Sequence, residues 1–180
     1  ARLPIMHLQL MEAASEALIR MPALEPQDIS NVSWAIAVLP GSPNDELMRS
    51  LEEKAIAKLP DFGQQHLAGA AWAFAPLRRR AGGLLPAIAA EASPRLPEFQ
   101  PQALSNLVWA CATCGLDDHE LLHAVAEDSI AKLHEFTPQA LANFTWAYAS
   151  LSVGAEELFA QLAKEAAGRV GELALLDLSN

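Results

Sequence analysis

The sequence has little that would hold a fold together covalently or carry it through a bilayer. Its two cysteines, Cys111 and Cys114, are too few for a disulfide framework and agree with a reducing compartment. A single tyrosine and sparse β-branched residues leave no alternating apolar run that reads as a strand. No uninterrupted apolar stretch approaches the roughly 20 residues of a membrane-spanning helix. Positive charge is also scarce. Twelve Lys and Arg stand against 22 Asp and Glu, a formal net charge of −10, which argues against a surface built mainly of phosphate contacts.

What is present is helical. Apolar residues make up 52% and charged residues 19%, so the chain is one that folds, and Ala and Leu dominate it. The predicted fold class is all-α. One motif organises the chain: Pro138 to Ala149 reads PQALANFTWAYA, Pro101 to Ala112 reads PQALSNLVWACA, and Pro26 to Ala37 reads PQDISNVSWAIA. A looser copy runs from Gln64 to Ala75 (QQHLAGAAWAFA). All four tryptophans, Trp34, Trp72, Trp109 and Trp146, fall at one place in these copies, 38, 37 and 37 residues apart. A fixed period of this size marks an array of stacked supersecondary units.

The period divides the chain into four full repeats, 25–62, 63–99, 100–136 and 137–173. Residues 1–24 read as the second helix of a partial repeat, and 174–180 as the start of a further one. The whole of 1–180 is thus expected to be a single solenoid segment cut from a longer chain. Each repeat is expected to hold two helices. The first opens at or near a Pro, as a first-turn Pro allows. The second closes at Leu59-Pro60-Asp61-Phe62, Leu96-Pro97-Glu98-Phe99 or Leu133-His134-Glu135-Phe136. Pro40-Gly41-Ser42-Pro43 reads as a turn. The second repeat is the irregular one, with Pro76 in the last turn of its first helix and Pro86 and Pro94 in its second. Arg78, Arg79 and Arg80 at its helix junction form the only basic cluster.

At 100° per residue the first helices sort into three sides. Leu141, Phe144, Tyr148 and Leu151, with Leu104, Leu107, Cys111 and Cys114 as counterparts, form a core stripe. A second side is small, as in Ala142, Thr145 and Ala149 or Ser30, Ser33 and Ala37, and permits close helix approach. The third carries a ladder of Gln27, Asn31 and Trp34, then Gln65, Gly69 and Trp72, then Gln102, Asn106 and Trp109, then Gln139, Asn143 and Trp146. Two readings of this ladder stand. The tryptophans seal the seam between repeats, as recurring large aromatics usually do, or the ladder lines a concave groove for an extended polymer, RNA or peptide.

Two motifs resemble chemistry. His119-Glu120-Leu121-Leu122-His123 matches the zinc-peptidase pattern, but Glu120 is the register equivalent of Glu46 and Glu157, and no third ligand follows in a suitable context. Cys111 and Cys114 sit in core-stripe positions, where buried thiols act as small hydrophobes. No Gly-rich phosphate loop, catalytic triad or carboxylate pair stands outside the repeat. The chain is therefore expected to be no enzyme and to need no metal or cofactor.

The motif PQxL(S/A)NxxWAxA, a second helix ending in LPxF and the 37–38-residue period resemble the octotricopeptide-repeat family and the related heptatricopeptide and FAST-kinase-like helical-hairpin repeats. The resemblance implies a right-handed α-solenoid of stacked helical hairpins. It also implies a protein of the mitochondrion or chloroplast that binds organellar RNA to stabilise, process or translate transcripts, or to hold rRNA in an organellar ribosome. The ligand face it implies is that of the first helices: Gln27, Asp28, Asn31, Val38, Gln65, His66, Gln102, Asn106, Thr113, Gln139, Asn143 and Ser150, with Ala103 and Ala140 at equivalent variable positions, and the Arg78–Arg80 patch beside them. The acidic balance departs from that family. Acidic residues gather on the second helices (Asp45, Glu46, Glu52, Glu53, Asp117, Asp118, Glu127, Asp128, Glu156), leaving the first helices nearly neutral. The alternative is therefore a structural or scaffold subunit of a large organellar complex, making protein contacts or holding an extended peptide on the ladder.

Overall fold

A computed structural model describes residues 16, 18–21, 24–38, 45–77 and 83–169. The expected Pro40–Pro43 turn, the Arg78–Arg80 cluster, most of the first partial repeat, residues 174–180 and the side chain of Val38 lie outside the described residues. Eight helices follow one another, with no strand among the described residues: α1 (Pro26–Val38), α2 (Asp45–Lys58), α3 (Gln64–Phe74), α4 (Leu84–Ala92), α5 (Pro101–Cys114), α6 (His119–Ile130), α7 (Pro138–Leu151) and α8 (Glu156–Gly168). The all-α expectation holds.

Local chemistry explains the boundaries. Pro101 and Pro138 occupy the first turns of α5 and α7, where their missing N–H has no intrahelical partner to lose. The Thr137 hydroxyl accepts the Ala140 N–H at 3.1 Å, and Asp118 accepts from Leu121 N–H at 3.1 Å. Gly115 closes α5 at φ 69°, and the Leu116 N–H reaches back to the Cys111 carbonyl at 2.9 Å. In the irregular repeat, Pro76 tightens the end of α3 into a 3-10 turn, Ala75–Leu77, while α4 shortens to 9 residues and continues as a 3-10 segment, Ser93–Glu98. The first turn of α4 follows a glycine that has no capping side chain. Glu52 of α2 supplies the cap, accepting from the N–H groups of Gly83 and Leu84 at 2.7 and 3.1 Å.

The first helices pack in series, α1 on α3, α3 on α5, α5 on α7. Their small side is the contact: Ala68 and Ala71 of α3, Ala75 of the turn that follows it, and Ser105 and Val108 of α5 are buried, and the Ser105 hydroxyl donates to the Ala140 carbonyl of the next helix at 2.9 Å. Within each pair the core stripe meets the second helix. Phe136, Phe144 and Tyr148 pack ring against ring, and the buried Tyr148 hydroxyl donates to the Leu122 carbonyl at 2.7 Å.

The second helices are tied differently. The first three end in a short 3-10 turn whose phenylalanine, Phe62, Phe99 or Phe136, is buried and donates its N–H to the carbonyl three residues back. The third of these turns lacks the proline, so proline is not required for it. A basic residue precedes each by four positions, and Lys58, Arg95, Lys132 and Arg169 fall at 37-residue intervals. Lys132 Nζ donates to the carbonyls of Pro97 and Phe99 in the preceding turn at 3.2 and 3.1 Å, and Arg169 donates to Phe136 at 2.7 Å. Lys54 makes the analogous reach to Met21 at 2.9 Å. An acid one turn earlier holds three of the four: Glu91–Arg95 at 3.1 Å, Asp128–Lys132 at 2.6 Å, Glu165–Arg169 at 3.7 Å, while Lys58 pairs with Glu25 and Asp61 at 3.9 and 3.5 Å. Cations near the end of a helix complement its dipole. Lys54, Lys132 and Arg169 also stitch one repeat to the previous one through main-chain carbonyls.

Burial pushes the Cys111 thiol up to about 12, from a usual 9.0, with the charges of Cys114 and Asp118 adding to the effect. Burial likewise raises the Tyr148 hydroxyl. A folded-state value above the unfolded one stabilises the protein fully below pH 9.0, and that contribution is lost as pH rises towards about 12. Two outcomes are expected. Iodoacetamide at about pH 8 should label Cys111 only after unfolding, and labelling of the native protein at that residue would contradict its burial. Lys132→Met should lower stability in urea by about 1–3 kcal/mol, because two carbonyls and Asp128 lose a donor, with Lys132→Arg retaining most of it. A loss below about 0.5 kcal/mol would mean the stitch carries no stability.

Candidate functional site

The series packing of first helices brings the ladder residues into one groove. It is lined by Ser30, Asn31 and Trp34 of α1, Gly69 and Trp72 of α3, Gln102 and Asn106 of α5, and Gln139 and Asn143 of α7, and encloses about 460 Å³. All four repeats contribute. None of these side chains carries a formal charge. A smaller cleft of about 140 Å³ shares Gln102 and Asn106 and adds Gln65, Ala68, Gln100 and Ala103.

A hydrogen-bond chain sets what the groove displays. The Gly63 N–H donates to Nδ1 of His66 at 3.4 Å, which places the proton of the neutral ring on Nε2. That Nε2 lies 3.2 Å from Oε1 of Gln27 and donates to it. The Gln27 amide nitrogen then donates to Oδ1 of Asn31 at 3.0 Å. Gln102 and Asn106 repeat the last link at 2.9 Å. In both pairs the asparagine oxygen is engaged and its NH2 remains for a ligand, so the ladder offers donors.

The other residues implied by the resemblance are placed elsewhere. Ala103 and Ala140 are buried, because that position of a first helix packs against the preceding one. His66, at the same position, is half-buried and bonded across to Gln27. Asp28 is exposed and turned back to accept the Glu25 N–H at 3.1 Å, as a capping residue does. Thr113 and Ser150 lie near the C-terminal ends of α5 and α7, outside the groove lining, and the buried Thr113 hydroxyl has no partner. The zinc-peptidase-like residues His119, Glu120 and His123 are all exposed, and His119 sits 3.5 Å from Asp117. Among the described residues no three His, Cys, Asp or Glu side chains gather as a metal site would need, and no helix is long and apolar enough to cross a membrane.

The tryptophans divide. Trp72 and Trp109 are half-buried and lie ring to ring at 6.2 Å and 30°, sealing the seam between α3 and α5. Trp34 and Trp146 are 57% and 50% exposed. Trp34 and Trp72 line the groove. Sequence reasoning treated the four as one class, since period and motif are identical. Only the neighbouring helix distinguishes seam from groove. Ser30 and Gly69 were not among the candidate ligand residues, although Gly69 falls in the register of the ladder face; Ser30 belongs to the small side and borders the groove beside Asn31. Gly69, inside a helix, costs about 0.5–1 kcal/mol relative to alanine.

No protein-family model matches the chain. Over 81 residues it is 32% identical to a protein of Oryza sativa subsp. japonica described as "RAP domain-containing protein, chloroplastic". The match takes in 43% of this chain and 12% of the rice protein, so the chain corresponds to a small part of that relative.

The division of the tryptophans has a direct consequence for stability. Trp34→Ala should change unfolding free energy by no more than about 0.5 kcal/mol. Trp109→Ala should cost about 1–3 kcal/mol, as loss of a packed aromatic does. Equal losses in chemical denaturation would show that both tryptophans are seam.

Proposed function

We propose that this chain is a non-catalytic, right-handed α-solenoid segment of an organellar RNA-binding protein, with single-stranded RNA lying along the groove of the first helices. One observation carries the reading. The uncharged groove presents amide donors and indole faces from successive repeats, a surface suited to base edges and base planes rather than phosphates. The chloroplastic rice relative supports an organelle, the chloroplast in particular. The four repeats 25–62, 63–99, 100–136 and 137–173 each supply one ladder rung.

A second reading has its own observation. Lys58, Arg95, Lys132 and Arg169 are all engaged in ion pairs, which ties up four of the chain's 12 Lys and Arg in contacts within the protein. A structural subunit of an organellar assembly, such as its ribosome, would use the same groove for an extended peptide.

The two readings separate in a titration of the chain against single-stranded RNA by fluorescence anisotropy at two salt concentrations. The RNA reading expects saturable binding with a shallow salt dependence, equivalent to fewer than about three phosphates. It also expects Asn106→Ala together with Asn143→Ala to weaken that binding without unfolding the protein. Absence of saturable RNA binding by the chain in that titration sinks it.

A further inference from the structure

Three of the four first helices carry asparagine at the middle rung, Asn31, Asn106 and Asn143. The second carries Gly69. The fold gives no reason for it. Gly69 lies in the interior of α3, its φ is not positive, and a Cβ added there would meet nothing within 4 Å. A residue that disfavours the helix thus stands where a larger side chain has free space. That space is in the groove, beside the indoles of Trp34 and Trp72.

We propose that Gly69 is a specificity-determining position: the missing side chain opens a notch that receives one nucleobase of the bound single strand. The base stacks on the exposed indole of Trp34, and its acceptor edge meets the free NH2 of Asn31. The other three rungs, filled by asparagine, contact neighbouring nucleotides from the side and admit no such insertion. The notch sets the register of the strand along the array. A base fits the site better than a phosphate or a charged side chain, because the notch walls are aromatic and amide and bear no charge.

This inference rests on the RNA reading, and the experiment separates the two. Gly69→Ala and Gly69→Asn are compared with the unaltered chain by thermal melting and by titration with the same single-stranded RNA, following tryptophan fluorescence. Gly69→Ala should raise Tm by about 2–4 °C, the shift expected for a chain of this size when a helical glycine is replaced. Its binding should fall between that of the unaltered chain and that of Gly69→Asn, since a methyl group fills the notch only in part. Gly69→Asn, which completes the ladder, should fold normally yet bind about tenfold or more weakly, as loss of one stacked base does. Trp34→Ala should remove the fluorescence quenching by RNA, and combining it with Gly69→Asn should weaken binding no further than either change alone. If the unaltered chain binds RNA and Gly69→Asn binds equally well or better, the notch is wrong and the RNA reading stands. If the unaltered chain binds no RNA, both fall.

Discussion

Where one first helix lies against the next, the residues between them are small: Ala68 and Ala71 of α3, Ser105 and Val108 of α5, all buried. Close backbone approach along this side puts α1, α3, α5 and α7 in one row. A single helix pair of about 25 residues buries too little apolar surface to fold alone, so each depends on its neighbours for a continuous core. The same approach places the polar rungs of successive helices side by side. Groove and core are consequences of one contact.

The second helices follow a different logic. Their stripe covers the first helices from one side, and their ends are secured by cations that donate to main-chain carbonyls of the preceding repeat. Those carbonyls belong to 3-10 turns and have no helical partner of their own, so a donor there satisfies groups that would otherwise be left open. The acid one turn before Arg95, Lys132 and Arg169 keeps each charge compensated in a half-buried position. Part of the chain's limited positive charge, in Lys54, Lys132 and Arg169, is committed to these contacts, and the acidic excess remains on the second helices. An uncharged groove is the counterpart of that distribution.

The helix boundaries were legible in the sequence, because a recurring Pro and a recurring Phe each act locally: the first starts a helix, the second closes one. The core stripe was equally legible, since spacing alone assigns Leu104, Phe144 and Tyr148 to one side. The ladder was legible as a pattern but not as a surface. Ala103 and Ala140 looked like variable positions of a ligand face and lie in the core instead, because the wheel of one helix does not say on which side the preceding helix sits. The stitch by Lys132 and Arg169 escaped notice for a similar reason. Its acceptors are main-chain atoms 33 to 35 residues away, and main-chain carbonyls leave no mark in a side-chain pattern.

What the sequence determined by itself is the periodic part: helix identity, repeat length, the apolar stripe and the register of Gln, Asn and Trp, all of which follow from local propensity and 3.6-residue spacing. What only the tertiary structure decided is how equivalent residues come to differ. Trp72 and Trp109 meet across a seam while Trp34 stands open to solvent, and Gly69 becomes a gap in a groove rather than a weak point in a helix. Identical positions in a repeat have different neighbours, and exposure is a property of the neighbours.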